Sequence, residues 1–206
     1  MGRDATLLRR GQLLEVATLA WNVVGIFVLA FAALAAHSVA LAGFGLDSLI
    51  EIGASAVVLW ELSGIGEARQ RRALRLIGGA FVALAVYLFV QSTWTLASRS
   101  HPHHSPLGIA WTAVTAAVMF GLAAGKARTG RALGNPVLLT EGRVTTIDGL
   151  LAVAVLVGLV LNAVFGWWWA DPLAALVLVY YAQREAWHVF IETDERQVPP
   201  HRQNHV

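Results

Sequence analysis

Six long runs of apolar residues follow one another along this chain of 206 residues, and each run has the length that a helix needs to cross a bilayer. The runs are about 13–36, 39–63, 75–98, 107–125, 137–165 and 168–191. Charged residues make up only 14% of the chain, where soluble proteins carry roughly a quarter. A soluble domain of this length could not bury so much apolar surface. The sequence therefore predicts an all-α, polytopic membrane protein with six transmembrane helices.

The connections between the runs are short, and no linker or change of composition divides the chain. We therefore predict one transmembrane domain over residues 1–206, with 192–206 as a short polar cytoplasmic tail. The chain has no cysteine, which excludes disulfides, thiolate zinc sites and iron–sulfur clusters. A net charge of only +2 gives no reason to expect a nucleic-acid partner. No Ser/His pair or metalloprotease motif lies at membrane depth, so neither an enzyme nor a bound cofactor is predicted.

The basic residues predict the orientation, because Lys and Arg accumulate in cytoplasmic loops. They fall at the N-terminus (Arg3, Arg9, Arg10), in the second loop (Arg69, Arg71, Arg72, Arg75), in the fourth loop (Lys126, Arg128, Arg131) and in the tail (Arg184, Arg196, Arg202). The odd-numbered loops hold only Arg99. Both termini are therefore predicted to face the cytoplasm. Trp60, Trp94, Trp111 and Trp187 lie near the ends of predicted spans, as aromatic residues at the headgroup level do.

Three acidic residues lie inside the predicted spans, where a charge costs about 2.5–3.5 kcal/mol on insertion scales. Asp47 and Glu51 are four residues apart, so they share one face of the second helix, about 6 Å apart along its axis. Asp148 lies midway along the fifth helix, on a face with Thr145 and Glu141. If the two faces meet, three carboxylates converge near the middle of the bilayer.

Carboxylates so close together must share either protons or a cation. An oxygen-rich cluster suits a divalent metal, and its ligands must lose their protons to bind one. That coupling is the chemistry of a metal/proton antiporter. A protonated structural network that joins helices remains an alternative explanation.

Around these residues the sequence resembles the cation diffusion facilitator family, which consists of proton-coupled exporters of divalent metals. The resemblance covers most of 13–191 and is carried by His37-Ser38-Val39-Ala40-Leu41 and Leu46-Asp47-Ser48-Leu49-Ile50-Glu51, by Ile147-Asp148-Gly149, and by Gly166-Trp167 with Ala170-Asp171-Pro172-Leu173-Ala174-Ala175-Leu176. It implies six helices, a homodimer in the cell membrane, and Asp47, Glu51 and Asp148 as metal ligands. Zn²⁺ is the first choice of metal, and Mn²⁺, Fe²⁺ and Co²⁺ remain open.

The chain departs from the family pattern at three places. Glu51 stands where the family has Asp, and Val144 stands where it has His or Asp. Glu141, on the same face as Val144, is a candidate replacement ligand, or else an interfacial charge paired with Arg143. The family usually continues into a cytoplasmic domain, so the chain resembles a member with the membrane domain alone. This favours an alternative function as a non-transporting scaffold or metal-responsive assembly partner.

Two weaker signals complete the candidate site. Asn22, at membrane depth in the first helix, either bonds to another helix or adds an oxygen ligand. His101, His103 and His104 form a cluster in the third loop that either gathers metal at the exit or is merely polar. The Ala- and Gly-rich, Lys-poor composition is typical of GC-rich bacterial genomes, so we expect a bacterial inner-membrane protein.

Overall fold

A computed structural model describes residues 2–62, 67–134 and 136–195, and within these ranges the chain forms helices and no β-strand. The helices are α1 (Gly2–Ala36), α2 (Val39–Leu62), α3 (Glu67–Ala97), α4 (Pro106–Leu133), α5 (Pro136–Phe165) and α6 (Ala170–Glu195). The predicted all-α fold is confirmed. By length and composition, four described segments can cross a membrane: Ala5–Ala36, Gly78–Ala97, Pro106–Leu133 and Gly142–Phe165.

Local sequence signals explain where several helices begin and end. Ser105 caps α4, because its side chain accepts a hydrogen bond from the backbone N–H of Gly108 and Pro106 follows in the first turn. Gly134 ends the same helix with a φ of 60°, a left-handed conformation that glycine adopts without strain. Ser38 Oγ accepts from the N–H of Leu41 at 3.1 Å and so caps the start of α2.

The helices pack as a bundle of four with a pair beside it. Helices α1, α2, α4 and α5 form the bundle, in which α4 packs most extensively on α5. Helices α3 and α6 pack closely on each other and contact α2 and α5. Within the bundle α2 and α5 touch only sparsely, which leaves space between their polar faces.

Two helices extend beyond the predicted spans. The fourth span was predicted at about 107–125, with Lys126 in the cytoplasmic loop that follows. Instead α4 continues to Leu133, and Lys126 lies inside the bundle with 1% of its surface exposed. Similarly, α3 begins at Glu67, so Arg69, Arg71 and Arg72 lie on its first turns rather than in a loop. Apolar length alone could not show that the helices extend past their apolar parts.

Candidate metal site

One small cavity lies among the four helices of the bundle, and Asp47, Glu51 and Asp148 all line it. Its other walls come from α1, α2 and α4: Trp21, Asn22, Gly25, Leu29, Phe44, Ser48, Trp111, Thr115 and Met119. The cavity volume is about 10 Å³, which is the space that one water-sized particle needs. Helices α2 and α5 thus bring three carboxylates to a volume that a single ion would fill.

Helix periodicity explains how the carboxylates reach this cavity. Asp47 and Glu51 are one turn apart on α2, and Asp148 faces them from α5. Asp47 and Asp148 are buried, and Glu51 is half-buried. Asn22 Nδ2 donates a hydrogen bond to Glu51 Oε2 at 3.1 Å, so this residue connects α1 to α2 through a candidate ligand.

The carboxylates share a cavity without forming a finished coordination shell. Among the side chains that the structure describes, which do not include that of Glu141, no three His, Asp or Glu residues are grouped closely enough to hold a metal ion as they stand. Oxygen donors on three helices are nevertheless the groups that divalent cations use. Small side-chain movements toward an ion would therefore be part of binding.

The position of the missing family ligand does not point into the site. Val144 is 36% exposed, whereas Thr145 and Asp148 beside it are buried. Glu141, its candidate replacement, lies on α5, but its side chain is outside the described part of the structure.

The histidines of the third loop lie apart from the carboxylate cavity and do not gather around one point. His101 packs against Trp168, with ring centroids 5.0 Å apart. His103 instead faces His37 at the end of α1, with centroids 5.6 Å apart. His104 is exposed. The predicted three-histidine cluster is therefore divided between two neighbours.

A stacked pair of tryptophans forms the α1–α4 wall of the cavity. Trp21 and Trp111 are parallel within 7°, with ring centroids 4.8 Å apart, and Trp21 Nε1 donates to Thr115 Oγ1 at 3.1 Å. Trp111, which the sequence predicted to anchor at the headgroup level, packs its ring inward onto α1. Only the neighbour Asn22 hinted that Trp21 lies in a polar environment.

An ion pair that the sequence did not predict lies beside the cavity, with Lys126 buried and the Glu15 side chain 41% exposed. Lys126 Nζ lies 2.9 Å from Glu15 Oε2 and donates to Thr145 Oγ1 at 3.1 Å. Thr145 precedes the candidate ligand Asp148 by one turn. Glu15 lies near the start of the first apolar run, where sequence alone favours a solvated charge.

One protein family matches a large part of the chain. The model of the cation efflux transmembrane domain matches residues 75–193, which is more than half of the chain. The match contains Asp148 and the Asp171-Pro172 segment, whereas α1 and α2, with Asp47 and Glu51, lie before it. The family consists of multi-pass membrane transporters of cations. The chain therefore belongs to the cation efflux family.

Proposed function

We propose that this protein exports a divalent metal cation in exchange for protons, with Asp47, Glu51 and Asp148 as the metal ligands. The observation that carries the proposal is the shared cavity, since three ionisable groups from two helices meet where burial makes each of them costly. A bound cation offsets that cost, and so does a proton. The same oxygens therefore suit both partners of an exchange.

The exchange would proceed through the protonation states of these carboxylates. When they are deprotonated and open to the cytoplasm, they bind the metal, and the amide of Asn22 holds Glu51 in position. Protons from the opposite side then displace the metal. The protonated carboxylates carry no charge, so the empty site can return. In this scheme both termini face the cytoplasm, all six helices span the bacterial inner membrane, and the protein acts as a homodimer.

The choice of metal rests on the family and on the donor atoms. Zn²⁺ is the first choice and accepts carboxylate ligands. Since the described lining of the cavity offers oxygen donors and no histidine, harder ions such as Mn²⁺ and Fe²⁺ are the next candidates, together with Co²⁺. Glu141 is the candidate fourth ligand.

Metal flux into proteoliposomes under an imposed pH gradient tests the proposal. We expect flux of Zn²⁺, or of Mn²⁺, Fe²⁺ or Co²⁺, that requires the gradient and falls to background in Asp148→Asn. Asp171→Asn is the matched control, because it neutralises a buried aspartate outside the cavity and should keep the flux per folded molecule. Thermal unfolding of each variant shows that the compared proteins are folded.

Two results would contradict the proposal. Full flux in folded Asp148→Asn would remove this carboxylate from the site. Absence of flux for all four ions, from wild-type protein that is folded, would favour a non-transporting assembly partner built on the same fold.

A further inference from the structure

Lys126 is the only lysine in the chain, and the other positively charged side chains are arginines. It is also buried, with 1% of its surface exposed. An ammonium group inside a membrane bundle is costly and usually functional. Lysine differs from arginine in carrying a compact charge on a flexible stem, which suits a group that must move. The transport scheme above assigns no task to this residue.

Contacts of the Lys126 side chain join α4 to α1 and α5. Its Nζ pairs with Glu15 Oε2 on α1 at 2.9 Å and donates to Thr145 Oγ1 on α5 at 3.1 Å. Glu15 Oε1, however, is buried and accepts no hydrogen bond within the described part of the chain. The Glu15 side chain is 41% exposed, whereas that of Lys126 is 1% exposed. The pair therefore joins an enclosed ammonium to a carboxylate that is accessible from outside the bundle.

These three residues, which we call the inner layer, lie on one side of the carboxylate cavity. Glu15 is seven residues before Asn22 on α1, and Lys126 is seven residues after Met119 on α4. Seven residues make about two turns, or about 10 Å along a helix. Thr145 is one turn before Asp148. The inner layer thus lies between the cavity and the face of the bundle where α1 begins and α4 ends.

The helices are packed tightly at the same level. A Cβ built on Gly125 would lie 3.1 Å from the side chain of Leu14 on α1. A Cβ built on Gly142 would lie 3.3 Å from the carbonyl oxygen of Ala123 on α4. Glycine thus permits both α1 and α5 to approach α4 beside Lys126, which leaves little room for an ion to pass between the three helices.

We propose that the inner layer closes the ion route between the cavity and the face where α1 begins. Separation of Lys126 from Glu15 opens the route, and a cation that reaches Glu15 takes the place of the ammonium on that carboxylate. Lys126 is a positioning residue in this scheme, because it acts through Glu15 and Thr145 and does not bind the metal. The role as a gate rests on the proposed transport function, but the closure can be measured without transport.

The absence of cysteine makes a direct test possible. Ser48 lines the cavity and is buried, so Ser48→Cys places the only thiol of the chain beyond the inner layer. A membrane-impermeant methanethiosulfonate reagent is applied to oriented vesicles from one face at a time. We expect slow labelling of Ser48→Cys alone. Adding Lys126→Met should speed labelling about tenfold or more, from the face where α1 begins only, as typical coupling energies allow.

Three companion variants separate a gate from a merely structural role. Arg128→Met, on an exposed position of α4, is the matched control and should not change the labelling rate. Thr145→Val removes one contact and should give a smaller increase than Lys126→Met. The exchanged pair Glu15→Lys with Lys126→Glu restores opposite charges and should return the rate toward that of Ser48→Cys alone.

The labelling rates either support or overturn the proposal that the inner layer closes the ion route. An unchanged rate in Lys126→Met and Thr145→Val, or rapid labelling of Ser48→Cys alone, would overturn the proposal. Equal acceleration from both faces would show a loosened bundle instead of an opened route, and would overturn it too. If labelling follows the expected pattern but no metal is transported, the inner layer still closes the cavity and the proposed transport function is what fails.

Discussion

At the scale of single residues, Asn22 holds a candidate ligand in place. Its amide donates to Glu51 Oε2 at 3.1 Å, which fixes the carboxylate at the cavity wall. We expect Asn22→Leu to raise the KM for metal flux about tenfold, since losing a partner of a metal ligand typically costs 10–100-fold in affinity. The free energy of unfolding should change by less than about 1 kcal/mol, because hydrogen bonds between membrane helices contribute little.

Asn162 provides the matched control for this prediction. It is also a buried asparagine, and its Nδ2 donates to the carbonyl oxygen of Pro102 at 3.0 Å, away from the cavity lining. Asn162→Leu should lower the unfolding temperature and leave the KM unchanged. An equal rise of KM in both variants would show that Asn22 contributes only to packing.

The sequence predicted the acidic side of the cavity and missed its other walls. A carboxylate inside an apolar run signals its own importance, and helical spacing places Asp47 and Glu51 on one face. Trp21, Trp111 and Lys126 carry no such signal, because tryptophan and lysine near the end of an apolar run usually mark the interface. Packing between distant segments decides which neighbour each helix face contacts, and the local patterns of a single sequence do not show this.

At the scale of helices, the start of α6 caps the start of α2. Asp171 is buried, and its carboxylate accepts hydrogen bonds from Ser38 Oγ and from the backbone N–H groups of Val39, at 2.9 Å, and Ala40, at 3.4 Å. The first N–H groups of a helix have no partner within it, and a negative charge there also favours the helix dipole. Asp171 therefore lies at the start of α6 and also caps the start of α2, although the sequence predicted only its place at the start of α6.

We expect Asp171→Asn to destabilise the protein by about 2 kcal/mol, since charged hydrogen bonds are replaced and buried donors are left unsatisfied. This corresponds to a fall of about 4–8 °C in Tm for a chain of this size. Circular dichroism during heating in detergent measures it. Ser38→Ala removes one hydrogen bond to Asp171 and the cap on Leu41, and it should lower the Tm by less than Asp171→Asn does. An unchanged Tm together with lost metal flux would instead place Asp171 on the transport route.

At the scale of the whole molecule, the outer surface is apolar, as a membrane requires. Leu34 is 77% exposed and Phe27 is 73% exposed, both on α1. Side chains of this kind would cause aggregation in water, whereas in a bilayer they contact lipid and the polar groups turn inward. The apolar runs made this predictable.

Single cysteines introduced into the cysteine-free chain test the predicted topology. Exposed positions between consecutive helices or near their ends are Ala5, Ala35, Arg75, His104, Ala132 and Trp167. If all six helices span the membrane and both termini are cytoplasmic, cysteines at Ala5, Arg75 and Ala132 react with an impermeant reagent from the cytoplasmic face. The other three react from the outside, because each helix reverses the side.

The pair that flanks α2 matters most in this experiment, because α2 carries both Asp47 and Glu51. Labelling of Ala35→Cys and Arg75→Cys from opposite faces would establish that α2 spans, which places its carboxylates at membrane depth. Labelling from the same face would mean that α2 does not cross. The burial cost that makes these carboxylates informative would then vanish, and the proposed transport site would lose its physical basis even if Asp148 stayed within a spanning helix.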